Sequence, residues 1–216
     1  MAVPAFTNHE LAKLISNNSH FTEELVKPVP NTGGGSVSAH TGGIAVLLIY
    51  KVCRIEQLRQ KASASTTNAW SELAVRCEDC AATFLNLLSQ DCTAYAEWAE
   101  VRKNPEDENA YSKALHTVID VPFQMISTVL VGMSLAEEVA RACRPHLLPD
   151  IIVSVELLRS TLLGAQAIAD ANIKEAGRSQ ISPDLVYGIL RTVETGKSMY
   201  LEFMQRCSGK NVIDHF

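Results

Sequence analysis

Lys27-Pro-Val-Pro-Asn-Thr-Gly-Gly-Gly-Ser36 is the strongest punctuation in the chain. Proline fixes φ and removes a backbone donor, and glycine opens conformations closed to other residues, so regular structure stops here. What lies beyond it decides the fold: an apolar, small-residue run from Ser36 to about Arg59 with helical rather than alternating period. A second helix is predicted from near Thr67 to just before Asn104-Pro105, with Leu73, Cys77, Cys80, Phe84, Leu87, Leu88 and Asp91 on or near one stripe. A third is predicted over Asp107 to Arg144, broken or kinked near Val121 by Pro122. Pro149-Asp150 opens a fourth, which runs through Glu175 and ends at Gly177, and Ser182-Pro183-Asp184 opens the last. Before the Pro-rich turn, Asn8 is placed to cap a short helix with Leu11, Leu14 and Ile15 on one face. No strand-like alternation of useful length stands in the sequence. The expected fold is all-α, a single bundle of five to six helices over residues 1–216.

Composition narrows the function classes. Hydrophobic residues make up 47% and charged residues 20%, as in ordinary globular domains. A net charge of −5 without a dense run of Lys or Arg argues against a nucleic-acid partner, so an anionic ligand needs a local site. The first residues lack the basic start and unbroken apolar stretch of a secretory signal. The most apolar segments, around Ile44–Ile49 and Ile119–Val131, read as too short or too interrupted to cross a bilayer. Cys53, Cys77, Cys80, Cys92, Cys143 and Cys207 lack the short loop-rich spacing of a disulfide framework. Cys77 and Cys80 form a lone CxxC with no second pair, which reads as buried thiols rather than a metal or redox site. The expectation is a cytoplasmic protein with no membrane partner and no metal.

Four stretches carry a resemblance, in order along the chain. Pro30-Asn-Thr-Gly-Gly-Gly-Ser-Val-Ser-Ala39 resembles P-x-P-G-G-G-S-V-A-A, and Phe84-Leu-Asn-Leu-Leu-Ser-Gln-Asp91-Cys-Thr-Ala-Tyr95 resembles F-L-x-L-x-x-x-D-A-x-A-F. Ala114 to Phe123 resembles A-x-x-x-A-T-x-V-P-L. Asp150, then Leu163-Gly164-Ala165 and Asn172-Ile173, resembles S-D followed by G-A-x-x-N-V-x-I-N-L. These are signatures of the formiminotransferase-cyclodeaminase and methenyltetrahydrofolate cyclohydrolase family. The resemblance implies a helical homodimer acting on a one-carbon derivative of tetrahydrofolate, with no metal. It implies either cyclisation of 5-formimino-tetrahydrofolate with loss of ammonia or interconversion of the methenyl and 10-formyl forms. The chain departs from the pattern in several places. Glu56-Gln-Leu-Arg59 stands for T-x-G-K, Cys143-Arg144 for G-N, Pro149 for Ser, and Ile168 for the first Asn of the last motif.

Both reactions form or collapse a tetrahedral carbon bearing nitrogen, with a proton passed to the leaving nitrogen or taken from water. Asp91, a carboxylate on an apolar face, is the first candidate for that proton; the alternative is a buried acid satisfied by a helix end or an Arg. Asp150 is a second, although a carboxylate just after Pro149 equally complements a helix dipole. His40 stands four residues beyond Ser36 on the same face, as a third catalytic candidate or as polar packing. Gly33, Gly34, Gly35 and Ser36 can offer backbone N–H groups to an anionic or carbonyl group of the folate, or make a tight turn with close packing of helix against helix, and the two are compatible. Arg59, Asp170 and Asn172 complete the expected substrate contacts, Asn172 alternatively capping a neighbouring helix. A catalytically silent folate-binding bundle and transfer of the one-carbon unit to another acceptor are the competing readings.

Overall fold

A computed structural model describes residues 20–27, 32–62, 69–103, 106–176 and 181–208. The expected helix around Leu11 to Ile15 lies outside them. Five long helices follow the short helical segment 20–25: α1 (Gly34–Ala62), α2 (Ala69–Val101), α3 (Glu108–Ala142), α4 (Leu148–Ala176) and α5 (Pro183–Ser208). A single 3₁₀ turn, Pro145–Leu147, joins α3 to α4. No strand occurs among the described residues.

Helices α1 to α4 form a ring in which each packs on its sequence neighbour and α4 closes on α1, while α5 lies across α3 and α4. Short connections make consecutive helices antiparallel. The start of α1, the end of α2, the start of α3 and the end of α4 therefore share one end of the bundle. Close contacts set the register. The Phe84 ring occupies the space beside Gly42, where an added Cβ would meet ring carbons at 2.6–2.8 Å, and the Ser38 hydroxyl lies against Gly164. Asp107 caps α3 by accepting from the N–H groups of Asn109 (3.1 Å) and Ala110 (3.0 Å). Tyr200 ties α5 down by donating to Glu156 at 2.7 Å, with the Arg159 guanidinium 5.0 Å from its ring centre.

Two expectations change. The break near Pro122 does not occur: α3 continues through it. Proline leaves the carbonyl four residues earlier, that of Val118, without its helical donor. The side chain of buried Asn172 on α4 supplies the missing hydrogen, Nδ2 donating to the Val118 oxygen at 2.7 Å. Asn172→Leu keeps the volume and removes the donor, so it should cost about 1–3 kcal/mol, the penalty for orphaning a buried carbonyl. Chemical denaturation checks this, and a midpoint equal to the wild type would assign the repair elsewhere.

The second change concerns apolar length. By length and composition alone, the stretches Gly34–Gln60, Glu108–Ala142 and Pro145–Ala176 are apolar enough to cross a membrane. The sequence reading underrated them because α3 runs on past Pro122 and because small residues extend the apolar runs. Over half of the apolar window is buried inside the bundle in the first two, 56% and 61%, but only 39% in the third. Helix α4 thus keeps an apolar outer face, with Val153 50% exposed.

Candidate functional site

The start of α1 is built around a carboxylate. Gly33 accepts the first helical bond, from Val37 N at 3.0 Å, and the Ser36 hydroxyl closes a local ring by accepting from Gly33 N and donating to Gly33 O, both at 3.0 Å. The half-buried Asp91 of α2 comes in from the side and takes the backbone N–H of fully buried Ser36. It abuts Gly35, where an added Cβ would come within 2.7 Å of the carboxyl carbon and both its oxygens. None of the three glycines adopts a positive φ. At Gly35 space, not backbone freedom, requires glycine. Gly34 is covered by Ile168, whose Cδ1 would lie 3.1 Å from an added Cβ, while Gly33 faces open space.

The anion at this helix terminus is therefore the chain's own Asp91, which takes one of the amides expected to face a ligand. Burial pushes its carboxyl up to about 6, and the Ser36 N–H offsets only part of that push. A carboxyl that titrates near neutrality can both give and take a proton at physiological pH.

The other expected residues fall at different distances from Asp91. Asn172 is joined to it by register, because Asn172 meets Val118 on α3 at the end of the bundle where α1 starts and α2 ends. His40 lies one turn beyond Ser36 but stacks on Phe21, with ring centres 4.6 Å apart and planes 22° apart, and burial lowers its pKa. The Ser36 hydroxyl is engaged with Gly33, which leaves the Ser–His reading without a geometric basis. Asp170 is exposed on α4. Asp150 pairs with Lys51 at 3.1 Å, and Arg59 with Glu56 at 2.8 Å. At 1.5 Å per residue, Lys51 and Arg59 stand about 24 and 36 Å along α1 from Gly35, at the other end of the bundle.

That far end holds a network the sequence did not announce. Glu56 is wholly buried and accepts from Arg144 N and Nε, both at 3.0 Å, as well as from Arg59. Burial pushes its carboxyl up, but these donors outweigh that and hold it below the usual range. Glu56, Arg59 and Arg144 all belong to the departures noted above, so two separate substitutions along the chain meet as one closed ion network.

Sequence reasoning also missed Trp98. It stands seven residues after Asp91, two turns along the same face of α2, is 1% exposed, and has a buried indole N–H without a partner. The i, i+7 spacing was the available signal. Elsewhere, none of the six cysteines is joined in a disulfide; burial pushes the Cys80 thiol up to about 12, and the Cys77 thiol is raised by its hydrogen bond to Cys53 and by burial. No group of three His, Cys, Asp or Glu among the described residues is arranged to hold a metal ion.

Comparison with known proteins agrees with the motifs. The model of the formiminotransferase-cyclodeaminase family matches residues 17–183. The crystal structure of formiminotetrahydrofolate cyclodeaminase from Thermotoga maritima is similar in fold, with a TM-score of 0.73 at 18% sequence identity. The match covers 97% of this chain and 96% of that one. No curated protein matches the sequence.

Proposed function

The chain belongs to the formiminotransferase-cyclodeaminase family, and from that premise we propose that it is an enzyme acting on a one-carbon derivative of tetrahydrofolate, of the cyclodeaminase or cyclohydrolase type. One observation carries the reading: Asp91, titrating near 6, is held against Gly35 and Ser36 at the start of α1. In the deaminase reaction N10 attacks the formimino carbon, and the carbon–nitrogen bond to the amino group then breaks. Asp91 in its acid form gives the departing nitrogen its proton, so ammonia leaves and the methenyl bridge remains. In the hydrolase reaction the carboxylate takes the proton of the attacking water. Either way the ionised form balances the positive charge of the methenyl-folate. Asn172 and the backbone of Gly33 to Ser36 frame this end of the bundle, and the paired Asp150 and Arg59 lie outside it.

The test is incubation with 5-formimino-, 5,10-methenyl- and 5,10-methylene-tetrahydrofolate, followed optically and by mass spectrometry. Ammonia release or hydrolysis of the methenyl form supports the proposal. Binding without turnover of any of them would make the protein a silent folate carrier, and consumption of the methylene form by an added acceptor would make it a transferase.

The protein works in the cytoplasm as a homodimer in this reading. Exposed apolar residues on neighbouring helices support the dimer: Ile44 and Leu58 on α1, Val153 and Leu163 on α4. Sedimentation at micromolar concentration should give twice the chain mass, and a monomer would refute the pairing.

A further inference from the structure

Among the described residues, one buried side-chain nitrogen or oxygen has no hydrogen-bond partner: Trp98 Nε1. Buried N–H groups in native proteins are nearly all paired, so an orphan marks a place where a partner is missing. The ring itself is held. Tyr111 packs on it at 5.0 Å between centres with planes 57° apart, and the Arg102 guanidinium lies 5.8 Å from its centre while pairing with Glu175.

Register locates the orphan. Gly35 faces Asp91, Asn172 holds Val118, and one layer further out Trp98 meets Tyr111 while Arg102 meets Glu175. Trp98 is thus in the layer beyond Asp91 toward the end of the bundle, about 10 Å along α2 and on the same face. Indole N–H can donate but cannot accept, so the missing partner carries a lone pair.

We propose that the Trp98 indole N–H is a recognition donor of the Asp91 site, bonding a carbonyl oxygen or unprotonated ring nitrogen on the flat heterocycle of the substrate. The proposal rests on the folate reading above and deepens it: Asp91 addresses the reacting carbon, and Trp98 fixes the orientation of the ring that carries it. An analogue whose heterocycle lacks the acceptor leaves the N–H unpaired and is discriminated against.

The probe is 5-formyl-tetrahydrofolate, titrated into ¹⁵N-labelled protein and into Trp98→Phe, which keeps an aromatic ring and removes the N–H. The chain has two tryptophans, and Trp70, near the start of α2, serves as the internal control. Ligand should shift the Trp98 indole N–H resonance downfield and leave that of Trp70 in place. Trp98→Phe should weaken binding roughly 3–10-fold, the effect of one neutral hydrogen bond. Tight binding by the wild type with an unmoved Trp98 resonance, or with equal affinity in Trp98→Phe, overturns the proposal and assigns the N–H to an internal water. The resonance shift is read on the wild type, so it decides even if the variant folds poorly. If the wild type binds none of the probe, the folate reading itself fails and this proposal falls with it, a result visible before any variant is made.

Discussion

Asp91→Asn is expected to lower turnover of a one-carbon tetrahydrofolate by roughly 10²–10⁴-fold, the usual contribution of a general acid–base group. The amide fills the same space beside Gly35 and its oxygen still accepts the Ser36 N–H, so substrate affinity should change much less. Stability should move in the opposite direction to activity. The folded carboxyl titrates at about 6 and the unfolded one at 3.8. Between those values the folded chain holds a proton that the unfolded chain has released, so stability falls as pH rises through that window. Above it the ionised carboxyl costs the folded state roughly 2–3 kcal/mol. Asp91→Asn removes that cost: its melting temperature should exceed the wild type at pH 8, with the gap closing toward pH 4. The rate profile of the wild type should inflect near 6. A variant that turns over at the wild-type rate would remove Asp91 from the mechanism and leave it as a cap on α1.

The same comparison shows how far the sequence could be read. The long helices are legible because their apolar residues recur with helical period and because proline or glycine marks most of the breaks between them, and the charge on the α2 stripe marks Asp91. What is not legible is whatever depends on a distant partner. Pro122 looks like a breaker until Asn172, 54 residues beyond Val118, replaces the donor that the Val118 carbonyl lost. Glu56 reads as a lost glycine motif until Arg144, 88 residues away, closes on it. Asp150 and Arg59 stand apart from Asp91 within the chain for a topological reason. In an antiparallel bundle, residues at the start of α1 and the start of α4 lie at opposite ends, and motif order along the chain is blind to that. Of the two uses open to the glycine triplet, backbone freedom and close packing, the fold uses Gly35 for the room it leaves to Asp91.

That room makes Gly35→Ala the sharpest structural test of the site. A Cβ there would overlap the Asp91 carboxyl, and neither partner has an easy retreat: Gly35 is in the first turn of α1, and Asp91 is in the interior of α2. Moving the carboxyl breaks its bond from Ser36 N–H, and moving the start of α1 drives Gly34 toward Ile168. The expected cost is roughly 1–3 kcal/mol of stability, typical of overpacking, with turnover falling as far as in Asp91→Asn because the carboxyl is displaced. Gly33→Ala is the control for stability; nothing lies within 4 Å of its added Cβ, so its melting temperature should stay near the wild type. The double change Gly35→Ala with Asp91→Ala should recover much of the melting temperature, since the methyl then has space, but none of the activity. Non-additivity of that kind separates steric conflict at this contact from a general weakness of α1. If Gly35→Ala alone melts and reacts like the wild type, Asp91 does not sit against Gly35 in solution, and the geometry from which its raised pKa was argued is wrong.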